Sequence, residues 1–240
     1  MLNNQQLRQM LEMQWTMNAK INPEWVKADY CFMRAVFVEC AECCDHLNFK
    51  WWLKKEPNIA QARMELVDIW HFMLSHFLQV SSYHQSATFD DDWFNETLKA
   101  IADTTREPFV YFGGSIYRFA DNSLMRNVEV MGGLATQGVA HVALFGYIME
   151  QCGMDWDELY SQYVGKGVLN HFRQDFGYKQ NTYVKIWHGE EDNVHLVRIL
   201  GELDAASGTF KDDIYSALEA TYATVEKAGI RKSVLDSTRP

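Results

Sequence analysis

The sequence predicts an all-α protein, a helical bundle in which two successive helices each carry a pair of carboxylates. Three observations lead there. Apolar residues recur every three or four positions over long stretches, which is the spacing of one helix face. Helix-start signals, a capping Asn or Asp with Gln or Glu three residues on, precede two of those stretches at Asn58 and Asp155. Acids three apart, Glu39 with Glu42 and Glu65 with Asp68, fall inside the periodic segments, and residues at that spacing project from one side of a helix.

Taken in order, the first helix is expected over Asn4 to Met17, with Leu7, Met10, Leu11, Met13 and Met17 apolar, and Gln14 and Asn18 on adjoining turns. Side-chain amides each offer a donor and an acceptor, as reading a nucleobase edge requires, although a polar helix face or a C-cap uses the same residues. A second helix is expected between Glu24 and Leu47, ending near His46, with Val26, Tyr30, Met33, Phe37, Cys40 and Cys44 at helical spacing. A connector rich in aromatic and basic residues, Phe49-Lys50-Trp51-Trp52, leads to Pro57, and Asn58 with Gln61 opens a third helix from about Ile59 to Phe77.

The middle of the chain is less patterned. Asp90-Asp91-Asp92 before Trp93 reads as a helix N-terminus, where acids oppose the macrodipole. Gly113-Gly114 and Gly132-Gly133 read as turns or tight helix packing, and a mostly apolar helix is expected from about Leu134 to Gln151. Asp155 with Glu158 then caps a helix whose stripe runs through Trp156, Leu159, Tyr160, Tyr163, Val164, Val168 and Phe172. In the tail, Leu196, Ile199, Leu200 and Leu203 form another helical stripe. The expected organisation is a single domain over residues 1–240, with stretches of about 87–150 and 194–240 left without a role.

The four acids lie among Val38, Ala41, Leu66, Val67, Ile69 and Phe72, and no Lys or Arg stands at helical spacing beside Glu39, Glu42 or Asp68. Charge on an apolar surface is costly unless it is paired or bound to a cation. Oxygen-only ligands suit Mg²⁺, with Mn²⁺ as a substitute, and Mg²⁺ typically leaves part of its shell to water and phosphate. The paired acids therefore point to metal-assisted phosphate chemistry.

Composition narrows the class. In 240 residues, 48% are hydrophobic and 14% aromatic, enough for a sizeable core. A net charge of −10 argues against a nucleic-acid partner. The cysteines, Cys31, Cys40, Cys43, Cys44 and Cys152, are odd in number with no secretory signal ahead of them, which fits reduced core thiols in the cytoplasm, the host's if the chain is viral. No apolar run approaches a membrane span. Against this acidic background, Lys166, Asn170, Arg173, Gln174, Tyr178, Lys179, Tyr183 and Lys185 crowd basic and hydroxyl groups into one segment. Arg, Lys and Tyr are the groups that hold phosphate oxygens, and they are also the groups that pair with a protein's own acids.

Glu39-x-x-Glu42, Lys50-Trp51-Trp52, Glu65-Leu66-Val67-Asp68-Ile69-x-His71-Phe72 and Asn170-x-Phe172-Arg173-Gln174-Asp175-x-Gly177-Tyr178-Lys179, followed by Tyr183-x-Lys185-x-Trp187, together resemble the dimeric all-α dUTPases and their phage dCTPase/dUTPase relatives. These belong to the all-α nucleoside triphosphate pyrophosphohydrolase superfamily. The resemblance implies a helical homodimer that uses two or more Mg²⁺ ions to cleave a deoxynucleoside triphosphate to its monophosphate and pyrophosphate. It also implies Glu39, Glu42, Glu65 and Asp68 as metal ligands, with Glu42 favoured as the base. Gln14, Asn18, Trp51, Trp52, His71 and Phe72 would belong to the base pocket, and Lys166, Asn170, Arg173, Tyr178, Lys179, Tyr183 and Lys185 to the phosphates.

Uracil and cytosine both remain open, because an amide can flip between the two hydrogen-bonding edges. Two readings from other classes stand beside this one. A di-iron carboxylate bundle calls for Glu-x-x-His on each of two helices, for which Asp68-x-x-His71 is a poor substitute. A noncatalytic helical interaction protein would carry the acids as a solvated face.

Overall fold

A computed structural model of the chain describes residues 3–81 and 89–237, with side chains through residue 225. Residues 87–88 of the unassigned middle stretch and 238–240 of the tail lie outside the described residues. The chain divides into two compact units, Met1–Leu159 and Tyr160–Pro240.

The first unit is built on α1 (Asn4–Ile21), α2 (Phe32–His46), α3 (Ile59–Val80), α4 (Asp91–Asp103), α5 (Leu124–Ala135) and α6 (Val142–Gln151). Asn3 caps α1 in a full capping box with Gln6, and Asn58 caps α3 by accepting from the Gln61 amide at 3.2 Å, both local signals that fix where each helix begins. α2 packs on α3 and α5, and α1 and α4 pack on α3. The central α3 buries Leu66, Ile69, Trp70, Met73 and Leu74. Trp70 stacks on Phe145 of α6 with ring centroids 5.1 Å apart and meets Trp156 edge-on at 5.7 Å. A Cβ on Gly146 would come within 2.9 Å of the Trp156 ring, so a residue without a side chain lets the indole lie against α6.

Two sequence expectations are corrected here, and a third, left between two alternatives, is decided. α2 starts at Phe32 rather than near Glu24: residues 23–29 form successive turns, and Asp29 takes a left-handed φ of 50° that no α-helix accommodates. Its buried line is accordingly Met33, Val36, Cys40 and Cys43, with Phe37 exposed. The helix expected over Leu134–Gln151 is two helices, broken after Ala135 where Gly138 adopts φ 75°. Gly132 and Gly133 lie inside α5 rather than in a turn. A Cβ on Gly132 would sit 3.4 Å from Cys40 Cβ, which is the close helix packing that the pair also allowed.

The segment between α4 and α5 forms an antiparallel hairpin, β1 (Phe109–Phe112) and β2 (Ser115–Arg118), turned at Gly113-Gly114. With β3 and β4 below, this is the only sheet structure among the described residues, and the all-α expectation holds.

In the second unit, α7 (Trp156–Asp175), whose first turn belongs to the first unit, is followed by a short hairpin of β3 (Ile186–Trp187) and β4 (Glu190–Glu191), then α8 (Asp192–Glu202) and α9 (Phe210–Ser237). Asp155 accepts from the Glu158 amide at 2.8 Å, as the capping signal predicts. Phe172, Trp187 and Tyr222 are buried and pack ring on ring, with centroids 5.4 to 6.0 Å apart. Leu196 of the tail stripe is buried on α8.

Candidate functional site

In the first unit α2 and α3 lie side by side, which brings their acids together. One ligand atom from each of Glu39, Glu42 and Glu65 lies within 4.8 Å of the others. Asp68 stands one turn beyond Glu65, close enough to Glu39 to raise its proton affinity. The Glu39 carboxyl is pushed up to about 7, first by burial, then by the charges of Asp68, Glu42 and Glu65. Acids held this close on a half-buried face raise one another's proton affinity, and a bound cation would relieve that repulsion. Glu42 is exposed, whereas the Glu65 side chain is only 12% exposed.

The sequence reading missed one member of this centre. His46, on the last turn of α2, places Nε2 3.2 Å from Glu65 Oε1. It lies four residues after Glu42, on the face that carries the acids. That spacing was the available signal, but only the approach of α3 shows which acid His46 meets.

The donor set suits a hard cation. Three carboxylates converge within one coordination shell's span, with charge in excess and the acids differing in exposure, so one ion could bind protein oxygens on one side and water or phosphate on the other. The cysteines are no competing centre. All five are free, and burial raises the thiols of Cys44 and Cys152 to about 11 and those of Cys40 and Cys43 further.

Gln14, Asn18 and His71 lie together between α1 and α3. Gln14 Nε2 donates to Asn18 Oδ1 at 3.0 Å, Gln14 Oε1 lies 2.8 Å from His71 Nδ1, and Asn18 Nδ2 donates to Ser75 Oγ at 3.1 Å. All four residues are buried. Phe72, next to His71, is half-buried. Trp51 and Trp52 are not part of this ladder. They lie on the α2–α3 connector, edge-on to one another at 5.6 Å, with Trp51 87% exposed. Two indoles so placed cannot wall a closed pocket without movement of the connector.

The candidate phosphate residues all fall in the second unit, and the structure gives several of them another task. Arg173 forks onto Asp192 through Nε and an η nitrogen, both at 2.8 Å, and also donates to Asn170 Oδ1 at 3.1 Å and Asn193 Oδ1 at 3.2 Å. Tyr183 donates to Asp192 at 2.7 Å. Asp192 is 0% exposed, so Arg173 and Tyr183 neutralise and solvate a buried carboxylate of the chain itself, while Asn170 holds the Arg173 guanidinium. The cluster ties the end of α7 to the start of α8. Lys185 pairs with exposed Glu191 at 3.2 Å. Tyr178 and Lys179 stand exposed on a 3-10 turn entered through Gly177, whose φ of 88° and 2.0 Å clearance to Thr182 Oγ1 admit no side chain. Lys166 is half-buried on α7.

An acid cluster on two adjacent helices of an all-α fold defines a helical protein with a candidate divalent-cation centre. A family model described as dUTPase matches residues 6–178, and the chain belongs to that all-α dUTPase family. Membership makes it a nucleotide pyrophosphohydrolase by descent. No curated protein matches the chain. Lys179, Tyr183 and Lys185 lie beyond the matched residues.

Proposed function

We propose that this chain is a Mg²⁺-dependent dUTP diphosphatase, acting as a homodimer, that hydrolyses dUTP to dUMP and pyrophosphate. The observation that carries the reading is the convergence of Glu39, Glu42 and Glu65 within 4.8 Å in a chain of the dUTPase family. Glu39, Glu42 and Glu65 would hold the metal, with the charge of Asp68 beside them. Bound Mg²⁺ supplies charge neutralisation on the phosphate oxygens and lowers the pKa of water.

Glu42, the exposed member, accepts the proton of the attacking water while the new oxygen–phosphorus bond forms at the α-phosphate and the bond to the β-phosphate breaks. His46 holds the Glu65 carboxylate in place from the side. Gln14, Asn18 and His71 read the pyrimidine edge, while Trp51 and Trp52 fold over the ring on binding, with Phe72 behind it. In the second unit, Lys166, Tyr178, Lys179 and Lys185 offer ammonium and hydroxyl groups of the kind that bind phosphate. Arg173 and Tyr183 satisfy Asp192, with Asn170 accepting from Arg173, and so stiffen the segment between α7 and α8.

The test is pyrophosphate release from dUTP, dCTP, dTTP and dATP with Mg²⁺, with Mn²⁺ and with a chelator. The reading expects metal-dependent turnover of dUTP and near exclusion of dATP, because a pocket sized for one ring leaves no room for two. Buried amides left unpaired by a wrong substrate can reject it by ~10⁴-fold. Comparable rates on dATP would replace it with a broad pyrophosphohydrolase, and dominant dCTP turnover with the cytosine-specific branch.

A further inference from the structure

Within the second unit, the C-terminal helix α9 reaches the segment that carries Lys185 through Tyr222. This side chain is 3% exposed. Its hydroxyl accepts from the Val184 amide at 3.1 Å, and its ring stacks on that of Tyr183, with centroids 5.4 Å apart and planes 15° from parallel. The residues just before Lys185 are therefore held by one side chain, Tyr183 by its ring and Val184 by its peptide nitrogen. The start of α8 holds the segment as well: Tyr183 donates to Asp192 at 2.7 Å, and the Lys185 carbonyl oxygen accepts from the Asp192 amide at 3.0 Å. One residue further along α9, Thr224 donates to Thr221 O at 2.6 Å and so accepts from His188 Nε2 at 2.8 Å, a separate hold on the turn between β3 and β4.

Lys185 thus has fixed peptide groups on both sides, whereas its side chain is held lightly. Its ammonium lies 3.2 Å from Glu191, and both side chains are half-exposed. Ion pairs this open to water are weak, so a phosphate oxygen can replace the Glu191 carboxylate at little cost. A lysine is a point charge on a flexible stem, and what it can reach is decided by where its backbone stands. Val184 and Ile186, on either side of it, are 45% and 49% exposed, so their own burial does little to locate the lysine. The backbone bonds on each side do, and Tyr222 provides the one from α9.

We propose that Tyr222 is a positioning residue for Lys185, and that α9, which lies wholly beyond the family-matched residues 6–178, fixes the segment from which that ammonium reaches a phosphate of the substrate. This rests on the reading of Lys185 as a phosphate contact. The hold of Tyr222 on the segment depends only on the geometry.

The experiment pairs an activity-free readout with a kinetic one on the full chain, its Tyr222→Phe and Lys185→Gln variants, the double variant, and Thr224→Val as a control that removes a different contact of α9. Tyr222→Phe keeps the buried ring and takes away only the acceptor. Hydrogen exchange of the Val184 amide, followed by NMR without metal or nucleotide, reports the contact, and kcat/KM for dUTP reports its use. Slow exchange is expected in the parent and in Thr224→Val, and exchange about tenfold faster in Tyr222→Phe. Tyr222→Phe should lower kcat/KM by roughly threefold to tenfold, the range of one hydrogen bond, and Thr224→Val should leave it unchanged. On the Lys185→Gln background the loss from Tyr222→Phe should vanish, since no ammonium is left to place. Unchanged Val184 exchange in Tyr222→Phe overturns the hold. An unchanged kcat/KM in Tyr222→Phe, the same loss in Thr224→Val, or an equal loss on the Lys185→Gln background overturns the positioning role. Parental kcat/KM in Lys185→Gln overturns Lys185 as a phosphate contact, and the positioning role with it, while the dUTP reading stands. A parent that does not hydrolyse dUTP overturns that reading and the positioning role together, and the exchange result still decides the hold.

Discussion

Glu39 and Glu65, one on each of the two packed helices, bring a ligand oxygen apiece within 4.8 Å of each other, and burial with the charges of Asp68, Glu42 and Glu65 makes the Glu39 carboxyl hold its proton more tightly than a free glutamate does. Glu39 has a folded value of about 7 against 4.5 for a free glutamate, so the folded chain binds a proton that the unfolded chain releases between those values. The stability this proton provides is present in full below about pH 4.5 and is lost as the pH rises through about 7. Melting without metal should therefore move to lower temperature over that window. Mg²⁺ should raise the melting temperature far more at pH 8 than at pH 5, since it competes with the proton. Equal stabilisation by Mg²⁺ at both pH values would count against a shared centre, and Glu39→Gln should flatten the metal-free pH dependence.

Glu42→Gln removes one carboxylate charge from an exposed position without opening a cavity. Turnover of dUTP should fall by roughly 10²-fold to 10⁴-fold, the range of a lost general base. The melting temperature without metal should hold or rise, because repulsion on Glu39 is relieved. A variant with parental turnover would remove Glu42 from the chemistry.

Arg173→Ala would strand Asp192, a carboxylate with no solvent exposure, beside the Tyr183 hydroxyl alone. Breaking one side of a buried pair costs about 3–5 kcal/mol, so chemical denaturation should show a large loss. The double change Arg173→Met with Asp192→Leu should recover much of that stability. Were Arg173→Ala instead to melt like the parent while losing activity, the residue would return to the phosphates.

Trp51→Ala deletes a side chain that is 87% exposed. Denaturation should change by less than about 0.5 kcal/mol, as for surface positions elsewhere. The KM for dUTP should rise at least about tenfold if the indole closes over the base, equal to about 1.4 kcal/mol of binding. An unchanged KM would leave the connector outside the site.

What was legible in the sequence was local. Asn58 with Gln61 and Asp155 with Glu158 mark the starts of α3 and α7 because a cap and its partner amide lie within one turn. The acid pairs were visible because three-residue spacing survives whatever the helix packs against, and the structure brings three of the four acids to one point. The start of α2 was hidden by residues with helical periodicity, since nothing in Asp29 announces a left-handed φ. The hairpin at 109–118 lies in a stretch whose glycines signalled a turn but not the pairing around it. Partnerships were the least legible. That Arg173 spends its donors on Asp192, nineteen residues away, and that His46 meets Glu65 are facts of tertiary approach, which spacing along one helix does not encode.

The connector tryptophans make the chain its own spectroscopic probe. Trp25, Trp70, Trp93 and Trp187 are buried, whereas Trp51 and Trp52 face solvent, so emission from those two should be selectively quenched by a water-soluble collisional quencher. Nucleotide that draws the connector inward should shield them and shift the emission to the blue. A titration of the unlabelled chain with dUTP in the absence of Mg²⁺ would then follow binding separately from bond cleavage.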